Sequence, residues 1–181
     1  MKKLAAFFLS LVLLACTAGA VDLYVDMVKI ETDTPPVISD GRTLVPLRVI
    51  FEALDAQVEW DGETKTATGT KDGLCVVIRI DDPTAYINEE AYTLDVPAQI
   101  VNGRTMVPAR FIAEALQCQV SWYSGTKTVA VADRTKDLKF YATPTGKRYH
   151  ASSSCNGGTY YETNQAEILG RGLTPCDKCI G

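Results

Sequence analysis

One histidine and three cysteines near the C-terminal end of this 181-residue chain, His150, Cys155, Cys176 and Cys179, have the types and spacing that metal chemistry needs. They read His-x4-Cys, then a gap of 20 residues, then Cys-x2-Cys. Zinc takes imidazole nitrogen and thiolate sulfur in a tetrahedron, and a Cys-x2-Cys knuckle sets two sulfurs on one side of the ion with little backbone strain. Four protein ligands close the shell, so the zinc this set predicts is structural and leaves no position for a reacting water. A disulfide is the competing reading, because exported chains meet oxidising conditions. It leaves one of the three cysteines unpaired and gives His150 no role. Cys75 and Cys118 lie upstream with no histidine beside them and read as buried apolar cysteines or as one disulfide. Ser152, Ser153 and Ser154 read as a loop spacer, since no second base or orienting carboxylate stands in motif range.

The segment that must position these ligands, Phe140 to Gly181, has few large apolar side chains. A core of about 40 residues rarely folds unaided, and a bound metal supplies the missing stability. Thr163 or Asn164 can cap a helix running to Leu169, Gly170 and Gly172 end it, and Pro175 leads into the knuckle. Its "TGKRYH" and "PCDKC" ends make the tail similar to the small zinc-binding domain of the bacterial Ada repair protein. It also resembles tails on secreted bacterial nucleases and surface proteins. The Ada resemblance implies an alternative function, a zinc-activated cysteine that accepts a methyl group. Nucleic-acid binding through Lys147, Arg148, Arg171 and Lys178 with Tyr149, Tyr160 and Tyr161 is another. Export away from chromosomal DNA and a closed zinc shell weigh against the first, and a charge of only plus two over residues 133–181 against the second.

Upstream, the chain repeats itself. "DGRTLVPLRVIFEALDAQVEW" (residues 40–60) returns 62 positions later as "NGRTMVPARFIAEALQCQVSW" (residues 102–122), over half of the positions being identical. Similarity at one offset marks a duplicated supersecondary unit. Asp40-Gly41 and Asn102-Gly103 favour the positive backbone angles of a tight hairpin turn. Pro46 and Pro108 fall where a helix starts, since a missing amide hydrogen costs nothing there. Val49, Ile50, Ala53 and Leu54 give the first helix an apolar face, as Ile112, Ala113 and Leu116 do the second. Arg48 with Glu52 and Arg110 with Glu114 stand four apart on the other face. Val58-x-Trp60 and Val120-x-Trp122 then open second hairpins that end near Thr70 and Val131. The fold class predicted is α+β: duplicated hairpin-helix-hairpin units forming a twisted antiparallel sheet packed on short helices, followed by a small zinc-stabilised module. The repeated arginines and glutamates read as a solvated face or inter-repeat ion pairs. Trp60 and Trp122 read as core or inter-repeat packing rather than a sugar-stacking platform.

These motifs resemble the copper amine oxidase N-terminal domain, a stalk-like module of secreted and surface proteins of Gram-positive bacteria, over residues 22 to 132. The resemblance implies a twisted antiparallel sheet on helices, and copper and quinone chemistry confined to a separate domain that this chain lacks. A copper oxidase site needs several histidines, and the chain has one, so no copper is expected. The family commonly has glycine after the "EAL" helix where this chain has Asp55 and Gln117. A left-handed cap suits Asp55 better than Gln117, so a less regular exit is expected from the second helix.

Met1-Lys2-Lys3, the apolar run Leu4 to Ala15 and the small residues Ala18-Gly19-Ala20 form an export signal. Cleavage after Ala20 and lipidation of Cys16 at "LLAC" both fit, and the second is the one route to a membrane. The predicted organisation is a signal peptide at 1–20, a domain at 21–132 with repeats at 36–70 and 98–132, a linker at 133–139 and a metal-binding module at 140–181. Residues 21–132 carry 9 basic and 17 acidic side chains, a surface unsuited to nucleic acid. The functional expectation is a non-catalytic binding or scaffold protein, secreted or at the outer face of the cell envelope. Its partner would be an envelope component or another protein.

Overall fold

A computed structural model describes residues 20–136 and 138–180. The predicted leader, with Cys16, lies outside the described residues apart from Ala20. Strand β1 (Asp22–Val25) turns back into β2 (Val28–Lys29), and β3 (Val37–Ser39) into β4 (Arg42–Pro46). At the second turn Asp40 and Gly41 take φ of 48° and 72°, the left-handed angles a two-residue hairpin needs. Helix α1 (Leu47–Ala53) follows directly, then β5 (Gln57–Asp61), β6 (Thr66–Lys71), β7 (Leu74–Arg79), β8 (Thr84–Ile87) and β9 (Glu90–Thr93). The motif then recurs as β10 (Gln99–Val101), β11 (Arg104–Pro108), α2 (Ala109–Ala115), β12 (Cys118–Tyr123) and β13 (Thr128–Asp133), with Asn102 and Gly103 at φ of 49° and 75°. Each proline ends its strand and caps the helix from one residue before its first turn, not from within it. Both helices stop on a left-handed residue, Asp55 (φ 61°) and Gln117 (φ 53°). After α1 the backbone N–H groups of Leu54, Asp55 and Ala56 all bond back into the helix, whereas after α2 the cap is Leu116 N–H to Ile112 O alone, the less regular exit expected.

The secondary structure is α+β, but one antiparallel sheet is not what forms. Among the described residues four sheets do, in the orders β12-β13-β1-β2, β10-β11-β4-β3, β5-β6-β7-β8-β9 and, in the tail, β16-β14-β15-β17, where β14 is Phe140–Ala142, β15 Arg148–His150, β16 Tyr161–Thr163 and β17 Thr174–Pro175. Two pairs are parallel, β1 with β13 and β15 with β17. The reason is edge coverage: the open side of β6 is extended by its sequence neighbours, while that of β13 is closed by the N-terminal strand from the far end of the domain. In the second sheet β4 pairs antiparallel with β11 so that Val45 faces Val107, Leu44 faces Pro108 and Pro46 faces Met106. Val45 and Val107, 62 apart in sequence, thus pair with each other, with Leu44–Pro108 and Pro46–Met106 on either side.

The buried helix faces differ from those expected. Leu47, Ile50, Phe51 and Leu54 are buried on α1, and Ala109, Phe111, Ile112 and Ala115 on α2, while Val49, Ala53 and Ala113 are only half-buried. Steric exchange explains part of this. A Cβ on Gly69 would sit 2.1 Å from the Phe51 ring, so that glycine makes room for the phenylalanine. The positions 62 residues on carry Ala113 and Val131, the small and large partners reversed. Trp60 and Trp122, expected inside, are 40% and 43% exposed.

The connecting segment is anchored. Asp26 accepts from the Asp133 N–H at 2.8 Å and pairs with Lys136 at 2.6 Å. A second apolar cluster then joins Met27 and Ala130 of the first sheet to Ala142, Tyr149, Ile168, Leu169 and Leu173 of the tail. Among the described residues no helix is long and apolar enough to cross a membrane.

Candidate metal centre

Short elements bring the four predicted ligands together. His150 ends β15, Cys155 opens a 3-10 turn (Cys155–Gly157), and Cys176 and Cys179 follow β17. The parallel pairing of Arg148 with Thr174 and Tyr149 with Pro175 carries the knuckle to the histidine, and the Cys176 N–H closes it on the Tyr149 carbonyl at 3.0 Å. Helix α3 (Gln165–Gly170) spans the long gap. Its cap is Asn164, whose side chain accepts from the Glu167 N–H at 2.9 Å, and Gly172 leaves it at φ 63°. Arg171 ties that turn to the strand loop, donating to Glu167 and to the carbonyls of Thr143, Pro144 and Gly146.

The ligand atoms of His150, Cys155, Cys176 and Cys179 all lie within 4.8 Å of one another. The Cys155 and Cys176 sulfurs are 3.8 Å apart, and the Cys179 sulfur is 3.6 Å from His150 Nδ1. Zinc bond lengths of about 2.3 Å to sulfur and about 2.0 Å to nitrogen, at tetrahedral angles, call for edges of about 3.8 Å and about 3.6 Å. The donor set therefore fits a zinc ion in type and number, and these two edges fit it in length. All five described cysteines are free thiols, Cys75 and Cys118 included. His150, Cys155 and Cys176 are buried and Cys179 half-buried. Burial pushes the Cys155 thiol up to about 11, while the Lys178 backbone N–H holds Cys176 below the usual thiol range.

Sequence reasoning missed what supports these ligands. The Tyr160 ring meets His150 edge-on at 4.8 Å, and its hydroxyl donates to the Cys155 carbonyl, so one tyrosine braces two ligands. A tyrosine five residues after a ligand carries no motif, and only the fold shows this use. Ser152 and Ser154 bond to each other at 2.9 Å within the connecting loop. Three of the four basic side chains named in the tail are engaged within it, Arg171 with Glu167, Arg148 with Asp177 and Lys178 with Asn156. In the repeats, Arg48 lies 4.0 Å from Glu52, but Arg110 turns instead to Asp95 at 3.2 Å. Burial, and then the hydrogen bond to Glu114, raises Tyr92 to about 12.

Comparison with known proteins separates the two regions. Over 124 residues, 68% of this chain, it is 30% identical to a protein of Brevibacillus choshinensis named "Protease inhibitor". Over 84 residues, 45% of the chain, it is 31% identical to a Klebsiella aerogenes protein named "Primary amine oxidase". The chain spans 37% and 11% of those two proteins. Residues 24–131 match the Copper amine oxidase N-terminal domain, which is a non-catalytic domain, and the four-ligand cluster lies beyond the match. By a match over more than half its length, this chain belongs to the copper amine oxidase N-terminal domain family.

Proposed function

We propose that this is an exported, non-catalytic binding or scaffold protein of the cell envelope, whose tail is a separate module held by one structural zinc. The observation that carries the reading is the closed set of four mutually close donors, His150, Cys155, Cys176 and Cys179. Four protein ligands leave no coordination position for a substrate, which suits an end-piece better than an enzyme. His150 would supply its Nδ1, the nitrogen turned toward Cys179, and the three cysteines their thiolates. Bound zinc would supply cross-linking of β15, the 3-10 turn and the knuckle. The tail resembles the Ada zinc domain, yet a methyl-accepting thiolate must meet its electrophile, and Cys155 and Cys176 are buried. We read residues 36–70 and 98–132 as duplicate units, a reading supported by the Val45–Val107 pairing of equivalent positions. The charged leader, with its two cut sites at Ala20 and Cys16, supports export.

A second reading is protease inhibition, favoured by the name of the Brevibacillus relative, "Protease inhibitor". Elemental analysis with free-thiol counting, together with fractionation of the producing cells, tests the first. One zinc per chain and retention with the envelope are expected. Less than about a tenth of an equivalent of zinc with two of the three tail thiols blocked sinks the metal reading in favour of a disulfide. Nanomolar inhibition of a secreted protease by a chain that does not associate with envelopes moves the assignment to the second reading.

A further inference from the structure

The chain has two tryptophans, and both stand exposed in grooves at equivalent positions of the two copies. In the first groove, of about 630 Å³, Val58, Trp60 and Arg48 of one copy meet Gly103, Arg104 and Thr105 of the other. In the second, of about 360 Å³, Val120, Trp122 and Arg110 meet Gly41, Arg42 and Thr43. Every one of these residues has its counterpart 62 positions away, so each groove is built from both copies. The rims are set by ion pairs that cross between copies. Arg104 holds Asp33 through two bonds of 3.1 and 2.6 Å, and Arg42 holds Asp95 at 2.7 Å, Asp33 and Asp95 being again 62 apart. Leaving two-fifths of an indole exposed gains nothing for folding. Doing so twice, at equivalent positions in concave sites with converging polar groups, is the geometry of a binding site.

From this geometry we propose that the two grooves bind a neutral polysaccharide, each tryptophan stacking on the C–H face of an equatorially linked pyranose while the arginine–aspartate pair bonds its hydroxyls. The charge balance selects neutrality. Arg48 and Arg104 face Glu31, Asp33 and Glu52 in the first groove, whereas Arg42 and Arg110 share Asp95 in the second. One groove thus has an excess of carboxylate and the other of guanidinium. A ligand carrying charge would suit one and be repelled from the other, while a sugar chain suits both. Each ion pair also presents donors and acceptors in a fixed plane, which hydroxyls use and an apolar peptide face does not. Because there are two such grooves, two sugar chains, or two segments of one, are held at once. Binding to a dense polymer is therefore stronger than to a soluble oligomer.

This inference rests on the envelope-scaffold reading and names its ligand class. The test titrates the full-length mature protein with the β-1,4-linked hexaoses of N-acetylglucosamine and of glucose. Intrinsic fluorescence reports on the grooves directly, since these are the chain's only tryptophans. A saturable change with at least one hexaose is expected. Trp60→Ala and Trp122→Ala should each weaken retention on the insoluble polymer, and the double variant should lose at least about tenfold in that retention. Trp60→Phe with Trp122→Phe, which keeps an aromatic face, should retain binding and covers the case in which the double alanine variant misfolds. No saturable change up to about 10 mM of either hexaose overturns the proposal. So does a double alanine variant, folded and unchanged in zinc content, that binds as the native chain does. A response to a proline-rich peptide but to neither sugar assigns the grooves to a protein partner instead. Envelope retention that ignores both tryptophans removes the sugar sites and leaves the scaffold reading standing, whereas hexaose binding without envelope retention does the reverse.

Discussion

The two halves of this chain reach a fixed structure by different physical routes. Residues 21–132 bury one large apolar cluster, from Leu23 on β1 to Val131 on β13, with Phe51 and Phe111 wholly inside. The tail has no comparable core. It buries Ile168, Leu169 and Leu173, leans them on Met27 and Ala130 of the neighbouring sheet, and gathers His150, Cys155, Cys176 and Cys179 into one cluster. Apolar burial grows faster than surface as a chain lengthens, so a domain of about 110 residues can stand on it and a tail of about 40 needs a cross-link. On the proposed zinc reading, a single change should do its damage spread across many contacts in the domain but concentrated on four donor atoms in the tail.

The largest effect should therefore come from the ligands. Removing zinc with a chelator, or replacing Cys176→Ser or His150→Ala, should unfold the tail and lower zinc affinity by orders of magnitude, while the domain keeps its own unfolding transition. Proton-resolved NMR of the variants checks this, and loss of β13 signals along with the tail would break the contrast. Lowering the pH should act the same way more gently. Cys155 carries its proton at neutral pH because burial raises it, so binding releases that proton and affinity falls as protons compete.

Next in size is separation of the two copies. A fragment of residues 21–85 loses β11, the partner of β4, and β13, the partner of β1, and should show no cooperative transition. A sharp independent melt would mean that each copy is a domain by itself. Within the intact domain, Gly69→Val drives a side chain into the Phe51 ring and should cost about 1–3 kcal/mol in denaturant unfolding. Phe51→Ala in the same background should recover part of that loss, as the Ala113 and Val131 arrangement already does in the other copy. The smallest effect should come from the surface: Asp95→Asn weakens two exposed pairs, to Arg42 and Arg110, and should change stability by less than about 1 kcal/mol. A larger loss would show that the inter-copy ion pairs carry stability as well as shaping the groove rims.

By itself the sequence determined everything that depends on neighbours along the chain or on a repeated period. Asp40-Gly41 and Asn102-Gly103 read as tight turns and form them, the 62-residue offset read as two like units, and His150, Cys155, Cys176 and Cys179 read by chemistry and spacing as one set, whose donor atoms the fold gathers. Tertiary structure decided what depends on residues far apart. Which edge β1 would cover was open until β13 offered one, because unpaired strand edges compete for partners on equal local terms. The face of the first helix takes in Phe51 because Gly69, on β6, leaves the space. Trp60 and Trp122 read as core by type alone. They stand in the open because the hairpin turn of the opposite copy, and not a layer of apolar side chains, lies across from each.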